Sequence, residues 1–150
     1  MLQDEMACPI TRGERILVAV DGSEYTEAIV DQAISMGRIC NSVIYAISVI
    51  ALFPESLAIA PQLEEEMAKK TREFLEIVQN KIEQENLTCE TIIRLDAQPY
   101  MPIVEEAKKR NVDLIIMGTR GMTGLKRVFL GSVAQKVIGY APCPVMVVPV

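Results

Sequence analysis

The 150-residue sequence predicts an α/β domain with an open, three-layer fold, in which helices cover both faces of a mostly parallel five-stranded sheet. Short apolar runs rich in β-branched residues alternate along the chain with longer segments whose apolar residues recur every three or four positions. Half of the residues are apolar, which is enough for a packed core. We expect a polar tail over residues 1–14 and one domain over residues 15–150.

Each predicted strand is a short apolar run bounded by turn residues, as is typical of strands buried on both faces. In chain order the strands are expected at residues 16–20, 43–50, 89–95, 112–117 and 145–150. The last strand is apolar on both faces, so a free edge there would favour pairing with a second copy of the chain. A strand inside the sheet, without a free edge, is the alternative.

The predicted helices lie between the strands. They are expected at residues 23–38 and 62–85, from Pro99 or Pro102 to Arg110, and at residues 132–140. Asp21 or Ser23 is the expected cap of the first helix, and Ser132 with Gln135 fits a capping box at the last. Residues 51–61 contain two prolines and are predicted to form a loop.

Composition excludes several function classes. Lys and Arg total 15 against 20 Asp and Glu, and this net charge of −5 disfavours a nucleic-acid partner, because such binding depends on neutralising phosphates. The absence of histidine excludes a Ser-His-Asp triad, a His-ligated zinc site and a nucleotidyltransferase with a His-Ile-Gly-His signature. No apolar run reaches the length of a membrane helix. The four cysteines form no C-x-x-C pair, and we expect reduced thiols in a cytoplasmic protein.

The most informative segment begins where the fourth strand ends and finishes where the last helix begins. It contains Gly118, Gly121 and Gly131, with Ser132 at the start of the helix and Lys126-Arg127 in between. Glycines let a backbone approach a ligand closely, and the free N–H groups of a helix N-terminus suit a phosphate. The alternative is that the glycines only shape a turn and that Ser132 only caps its helix.

Two familiar phosphate loops do not fit. The segment from Gly121 to Lys126 does not match G-x-x-x-x-G-K-[ST], and no G-x-G-x-x-G follows the first strand. Asp21 ends that strand, at the same sheet edge as Gly118, where a carboxylate can accept hydrogen bonds from a ribose. Capping of the following helix is an equal alternative for Asp21.

The spacing Gly118-x2-Gly121-x9-Gly131-Ser132 resembles the nucleotide loop of the universal stress protein family, in its ATP-binding branch. The resemblance covers nearly the whole chain, and residues 113–118 look like the penultimate strand of that family. It implies an adenine nucleotide alpha hydrolase-like, Rossmann-like fold. It also implies a homodimer that pairs the last strands, here residues 145–150.

The resemblance further implies that ATP is bound, with Mg2+ or Mn2+ bridging its phosphates. We assign no metal-ligating residue. The matching positions are Ala19, Val20 and Asp21 for the nucleoside, Val49, Met117 and Gly118 for adenine and ribose, and Gly121, Gly131, Ser132 and Val133 for the phosphates. Ser48 departs from the family, which often has His there, and Ala97 stands where it often has Gly.

Three function classes compete. We expect a nucleotide-dependent regulatory module of the stress response, cytoplasmic, with an unidentified protein partner and without catalytic residues. The alternative is a slow ATPase or phosphoryl-transfer enzyme, for which Asp21 is the only candidate to orient a nucleophile. A receiver domain of a signalling protein needs an acidic pair after its first strand, and Asp21 has no acidic neighbour.

Overall fold

Five parallel strands form one sheet in the computed structural model, which describes residues 7–121 and 130–150. The strands are β1 (Arg15–Ala19), β2 (Val43–Ile50), β3 (Cys89–Leu95), β4 (Leu114–Gly118) and β5 (Val145–Val148). Their order across the sheet is β3-β2-β1-β4-β5, and every neighbouring pair is parallel. The predicted open α/β fold is confirmed.

Helices cover both faces of this sheet. They are α1 (Thr26–Cys40), α2 (Pro54–Ile59), α3 (Leu63–Glu83), α4 (Tyr100–Lys109) and α5 (Ser132–Tyr140). Side chains of α1 and α3 pack with Val18 on one face, and side chains of α4 and α5 pack with Leu17 on the other. The two cores are separate because successive residues of a strand point to opposite faces. Within the described residues, no helix is both long enough and apolar enough to span a bilayer.

The strand order creates a crevice at one edge of the sheet. From β1 the chain moves outward through β2 to β3, then returns to the other side of β1 for β4 and β5. The chain leaves β1 towards β2 and leaves β4 towards β5, which are opposite directions across the sheet. The carboxyl ends of β1 and β4 therefore flank a topological switch point. Open parallel sheets bind ligands at such points.

The local structure corrects three predictions about the helices. Residues 54–59 form α2 rather than a loop, with Pro54 in its first turn, where the fixed φ of proline suits a helix. Thr26 begins α1, and no side chain caps it. The cap of α5 is Gly131, so Ser132 is already helical and the predicted capping box is wrong; the Gln135 side chain instead donates to the Leu130 carbonyl at 2.8 Å.

A disulfide joins Cys8 to Cys40, so the expectation of reduced thiols is wrong for this pair. The bond fastens the segment before β1 to the end of α1, at the amino edge of the sheet. Gly13 packs against both sulfurs with φ +58°, and Ser42 donates a hydrogen bond to its carbonyl. Cys89 and Cys143 are free thiols, and burial raises the pKa of Cys89 to about 12.

Candidate functional site

A cavity of about 680 Å³ opens at the carboxyl edge of the sheet. Its walls come from the ends of β1, β2 and β4, from the N-terminus of α5 and from parts of α3 and α4. This volume is within the range of small-molecule sites, roughly 300–1,000 Å³. The cavity therefore occupies the switch point at which a parallel sheet is expected to bind its ligand.

All ten residues implied by the family resemblance line this cavity. They are Ala19, Val20, Asp21, Val49, Met117, Gly118, Gly121, Gly131, Ser132 and Val133. They come from four separate stretches of the chain, so the fold brings them together. Contact of these residues with a nucleotide stays a prediction. Lys126 and Arg127, which the sequence adds to the loop, lie outside the described residues.

Asp21 lies at the end of β1, inside the cavity, and is the only carboxylate among the described lining residues. One of its oxygens, Oδ1, accepts a hydrogen bond from the Ser23 N–H at 3.0 Å. This bond fixes the turn after β1. Because α1 begins only at Thr26 and has no side-chain cap, the alternative interpretation of Asp21 as a helix cap is wrong.

Two glycines allow the backbone after β4 to lie against its neighbours. A Cβ on Gly118 would lie 2.8 Å from the Ile29 Cδ1 atom, and a Cβ on Gly121 would lie 2.6 Å from the Asp21 Oδ2 atom. Both distances are shorter than side-chain packing permits. At Gly121, the atoms that lie next to the Asp21 carboxylate are those of the backbone rather than those of a side chain.

Hydrogen bonds connect Thr119, the residue after β4, to the N-terminus of α5 and to β5. The Gly131 N–H donates to the Thr119 carbonyl at 2.7 Å, and the Thr119 N–H donates to the Val148 carbonyl at 3.0 Å. Among the described residues, no side chain caps α5. Its first N–H groups and the Ser132 hydroxyl therefore stand at the cavity as donors, where the positive end of the helix dipole favours an anion.

Sequence reasoning missed the contribution of α3. This helix lines the cavity with Met67, Lys70, Thr71 and Phe74, and the start of α4 adds Pro99 and Ile103. The apolar period of α3 predicted which face is buried against the sheet. No local pattern in the sequence indicates that these four residues of α3 line a cavity.

The chemistry of the walls defines the kind of ligand that fits. Apolar side chains from β2, β4 and α4 suit a flat apolar body, the carboxylate suits hydroxyl groups, and the helix N-terminus suits an anion. Within the described residues, no group of three or more His, Cys, Asp or Glu side chains could hold a metal ion.

Comparison with known proteins agrees with this geometry. Residues 13–149 match the model of the universal stress protein family. The chain belongs to this family. A universal stress protein of Methanocaldococcus jannaschii is 34% identical over 139 residues, which cover 90% of this chain and 81% of the relative.

Solved universal stress proteins share the fold. The protein from Lactobacillus plantarum superimposes with a TM-score of 0.81 at 25% identity, covering 91% of this chain and 98% of its own. A structure from Archaeoglobus fulgidus, in complex with dAMP, has a TM-score of 0.70 at 22% identity and covers 89% of this chain and 96% of its own. The strand order and the layers of this universal stress protein are therefore those of its family.

Proposed function

We propose that this universal stress protein binds ATP in the carboxyl-edge cavity and acts as a nucleotide-dependent regulatory module. The observation that carries the proposal is the convergence of ten residues from four stretches of the chain on one cavity at the switch point. The spacing Gly118-x2-Gly121-x9-Gly131-Ser132, typical of the ATP-binding branch of the family, supports the same ligand.

The proposed roles follow from the position of each group. Asp21 would accept hydrogen bonds from the ribose hydroxyls, and Val49 and Met117 would flank adenine. The backbone at Gly121 and the N-terminus of α5, with Ser132, would hold the phosphates. A bound Mg2+ or Mn2+ ion would neutralise phosphate charge, with its ligands supplied mainly by the phosphates.

A related structure supports a nucleotide as the ligand class. The Archaeoglobus fulgidus universal stress protein is in complex with dAMP. The assignment of ATP, rather than another nucleotide, rests on the glycine spacing of this chain and on the N-terminus of α5, which has no side-chain cap among the described residues. We do not assign catalysis to the site, because Asp21 is the only carboxylate among its described lining residues and Ser23 holds one of its oxygens.

The quaternary part of the proposal is a homodimer that pairs the β5 strands of two copies. Within the described sheet, β5 lies at the end of the order and pairs only with β4. Its four residues, Val145–Val148, are all apolar. An apolar end strand favours a second strand along its free edge.

A cytoplasmic location is also part of the proposal, because that compartment supplies ATP. Disulfides are rare there, and the structure joins Cys8 to Cys40, so the redox state of this pair in cells tests the location. Iodoacetamide added to intact cells before lysis would trap free thiols for mass spectrometry. Alkylated Cys8 and Cys40 would support the location, and an intact disulfide would contradict it.

The decisive experiment identifies the nucleotide that accompanies the purified protein. The protein is denatured, and any released nucleotide is measured by chromatography and mass spectrometry. Near-stoichiometric ATP is the expected result, whereas ADP or AMP would favour the slow ATPase. No nucleotide, together with no ATP binding in calorimetry, would overturn the proposal.

A matched variant links the bound nucleotide to the loop. In Gly131→Val, a Cβ would lie 3.1 Å from the Thr119 carbonyl oxygen, so the branched side chain displaces the start of α5. We expect this variant to fold and to bind no ATP. Normal ATP binding by Gly131→Val would show that the phosphate site is wrongly assigned.

A further inference from the structure

One stripe of α3 faces the cavity. Met67, Lys70, Thr71 and Phe74 all line it, and their spacing of three and four residues places them on a single side of the helix. The sequence places the charged side chains of this helix in solvent. Lys70 and its neighbour Lys69 are both exposed, but only Lys70 lines the cavity.

The inner end of this stripe is close to Asp21. The ring of Phe74 lies 3.5–3.8 Å from the position that a Cβ on Gly22 would take, so it covers the turn after β1. The helix runs from the carboxyl edge of the sheet, where β2 ends, towards the amino edge, where β3 begins. Lys70 is four residues before Phe74 and therefore lies about 6 Å closer to the N-terminus of α3 along the helix axis.

A second cation lines the cavity from the other side. Arg120 follows β4, next to Gly121. The ion pairs within residues 7–121 and 130–150 use Arg38, Lys81, Arg94 and Arg110, and neither Lys70 nor Arg120 is among them. The described lining thus holds two cations against one carboxylate, in a chain of net charge −5.

We propose that Lys70, with Arg120, makes this site select its ligand by the number of phosphates, so that a nucleoside triphosphate binds more tightly than a monophosphate. This inference rests on the proposed function. The first phosphate is assigned to the backbone at Gly121 and the N-terminus of α5. A longer phosphate chain extends out of the crevice, where the flexible Lys70 side chain can follow it and Arg120 offers a planar set of donors.

The test compares the affinities of ATP, ADP and AMP by calorimetry in the wild type and in Lys70→Met. Methionine keeps the apolar stem of lysine but removes its charge. We expect Lys70→Met to lower the affinity for ATP by about tenfold, the size of one lost charge-assisted hydrogen bond. The affinity for AMP should stay within about twofold of the wild-type value. The matched control, Lys69→Met, should change neither affinity.

Salt distinguishes a charge effect from a structural one. The difference between wild type and Lys70→Met should shrink as ionic strength rises, because salt screens an exposed cation. An equal loss of affinity for ATP and AMP, or no change in either affinity, would overturn the role of Lys70. Nucleotide binding by the wild type would still support the proposed function. A wild type that binds none of the three nucleotides would instead overturn the proposed function and this inference with it.

Discussion

Gly121 and Asp21 lie so close together that a Cβ on the glycine would be 2.6 Å from the carboxylate Oδ2 atom. The two residues follow β4 and β1, the strands that flank the switch point. Because the other carboxylate oxygen accepts from the Ser23 N–H, the carboxylate lies between the turn after β1 and the backbone of Gly121. The contact therefore couples the position of the glycine loop to the residue proposed to bind the ribose.

Substitution Gly121→Ala should consequently weaken ATP binding more than it destabilises the fold. The added methyl group must push the Asp21 carboxylate aside, and the flexible end of that side chain can yield at small cost. We expect a loss of affinity of about tenfold or more, as for a lost charge-assisted hydrogen bond. Calorimetric titration with ATP measures the affinity, and urea unfolding measures the stability.

A control with the same glycine-to-alanine replacement is available at Gly139. It lies in α5, and a Cβ there would meet nothing within 4 Å. Gly139→Ala should leave ATP binding unchanged and stabilise the protein by up to about 1 kcal/mol, because alanine favours a helix. Equal affinities for ATP in the two variants would argue against the coupling between Gly121 and Asp21.

The strands could be predicted well because their signal is local. The boundaries of β2 and β3 match the predicted ranges, since each is an apolar run closed by turn residues. In contrast, α2 was missed because none of its residues is buried, which leaves no apolar period to detect. The disulfide was missed because it joins positions 32 residues apart, and no local pattern indicates which cysteines meet.

The residues of the candidate site also differ in whether a local sequence signal predicts them. The spacing of Gly118, Gly121 and Gly131 lies in one stretch of sequence, so the loop could be predicted together with the sheet edge at which it lies. The contribution of Lys70 could not be predicted, because its place at the cavity depends on how α3 packs across the sheet. That packing is tertiary and includes the position of the Phe74 ring next to Gly22.

An ion cluster on the α4 side should dominate the acid sensitivity of the fold. The buried Glu106 carboxylate accepts from Arg94 Nη1 at 2.7 Å and from Arg110 Nε at 2.9 Å. Burial by itself raises the pKa of Glu106, but the hydrogen bonds from the two arginines outweigh it and lower the pKa below its usual 4.5. The resulting stabilisation is complete above pH 4.5 and is lost as the pH falls through the lower, folded-state pKa.

Glu106→Gln should therefore lower the free energy of unfolding at pH 7 by about 2 kcal/mol, since two arginines lose their buried anion. Its stability should also fall less steeply than that of the wild type below pH 4.5. Glu105→Gln is the control, because its ion pair with Arg94 is solvent-exposed and should contribute less than about 1 kcal/mol. Parallel acid-unfolding curves for wild type and Glu106→Gln would contradict this assignment.

The disulfide between Cys8 and Cys40 should stabilise the fold without affecting the cavity, which lies at the opposite edge of the sheet. A cross-link over 32 residues restricts the unfolded chain, and removing it should cost about 3 kcal/mol. Urea unfolding of the wild type with and without dithiothreitol measures this effect. In Cys8→Ser the reductant should have no effect, and ATP affinity should stay at the wild-type value. A dithiothreitol response that persists in Cys8→Ser would exclude the disulfide as its source.

The proposed dimer can be tested at a single backbone N–H on β5. The carbonyls of Pro144 and Val148 accept hydrogen bonds from β4, so the alternation along a strand directs the backbone groups of Val147 to the free edge. Val147→Pro removes the N–H on that side only, and proline is tolerated at such an edge position. We expect this variant to be a folded monomer by light scattering. Val147→Thr, which keeps the N–H and a β-branched side chain, should remain dimeric. A dimeric Val147→Pro would show that the copies associate elsewhere, because a β5 ladder cannot form fully without that donor.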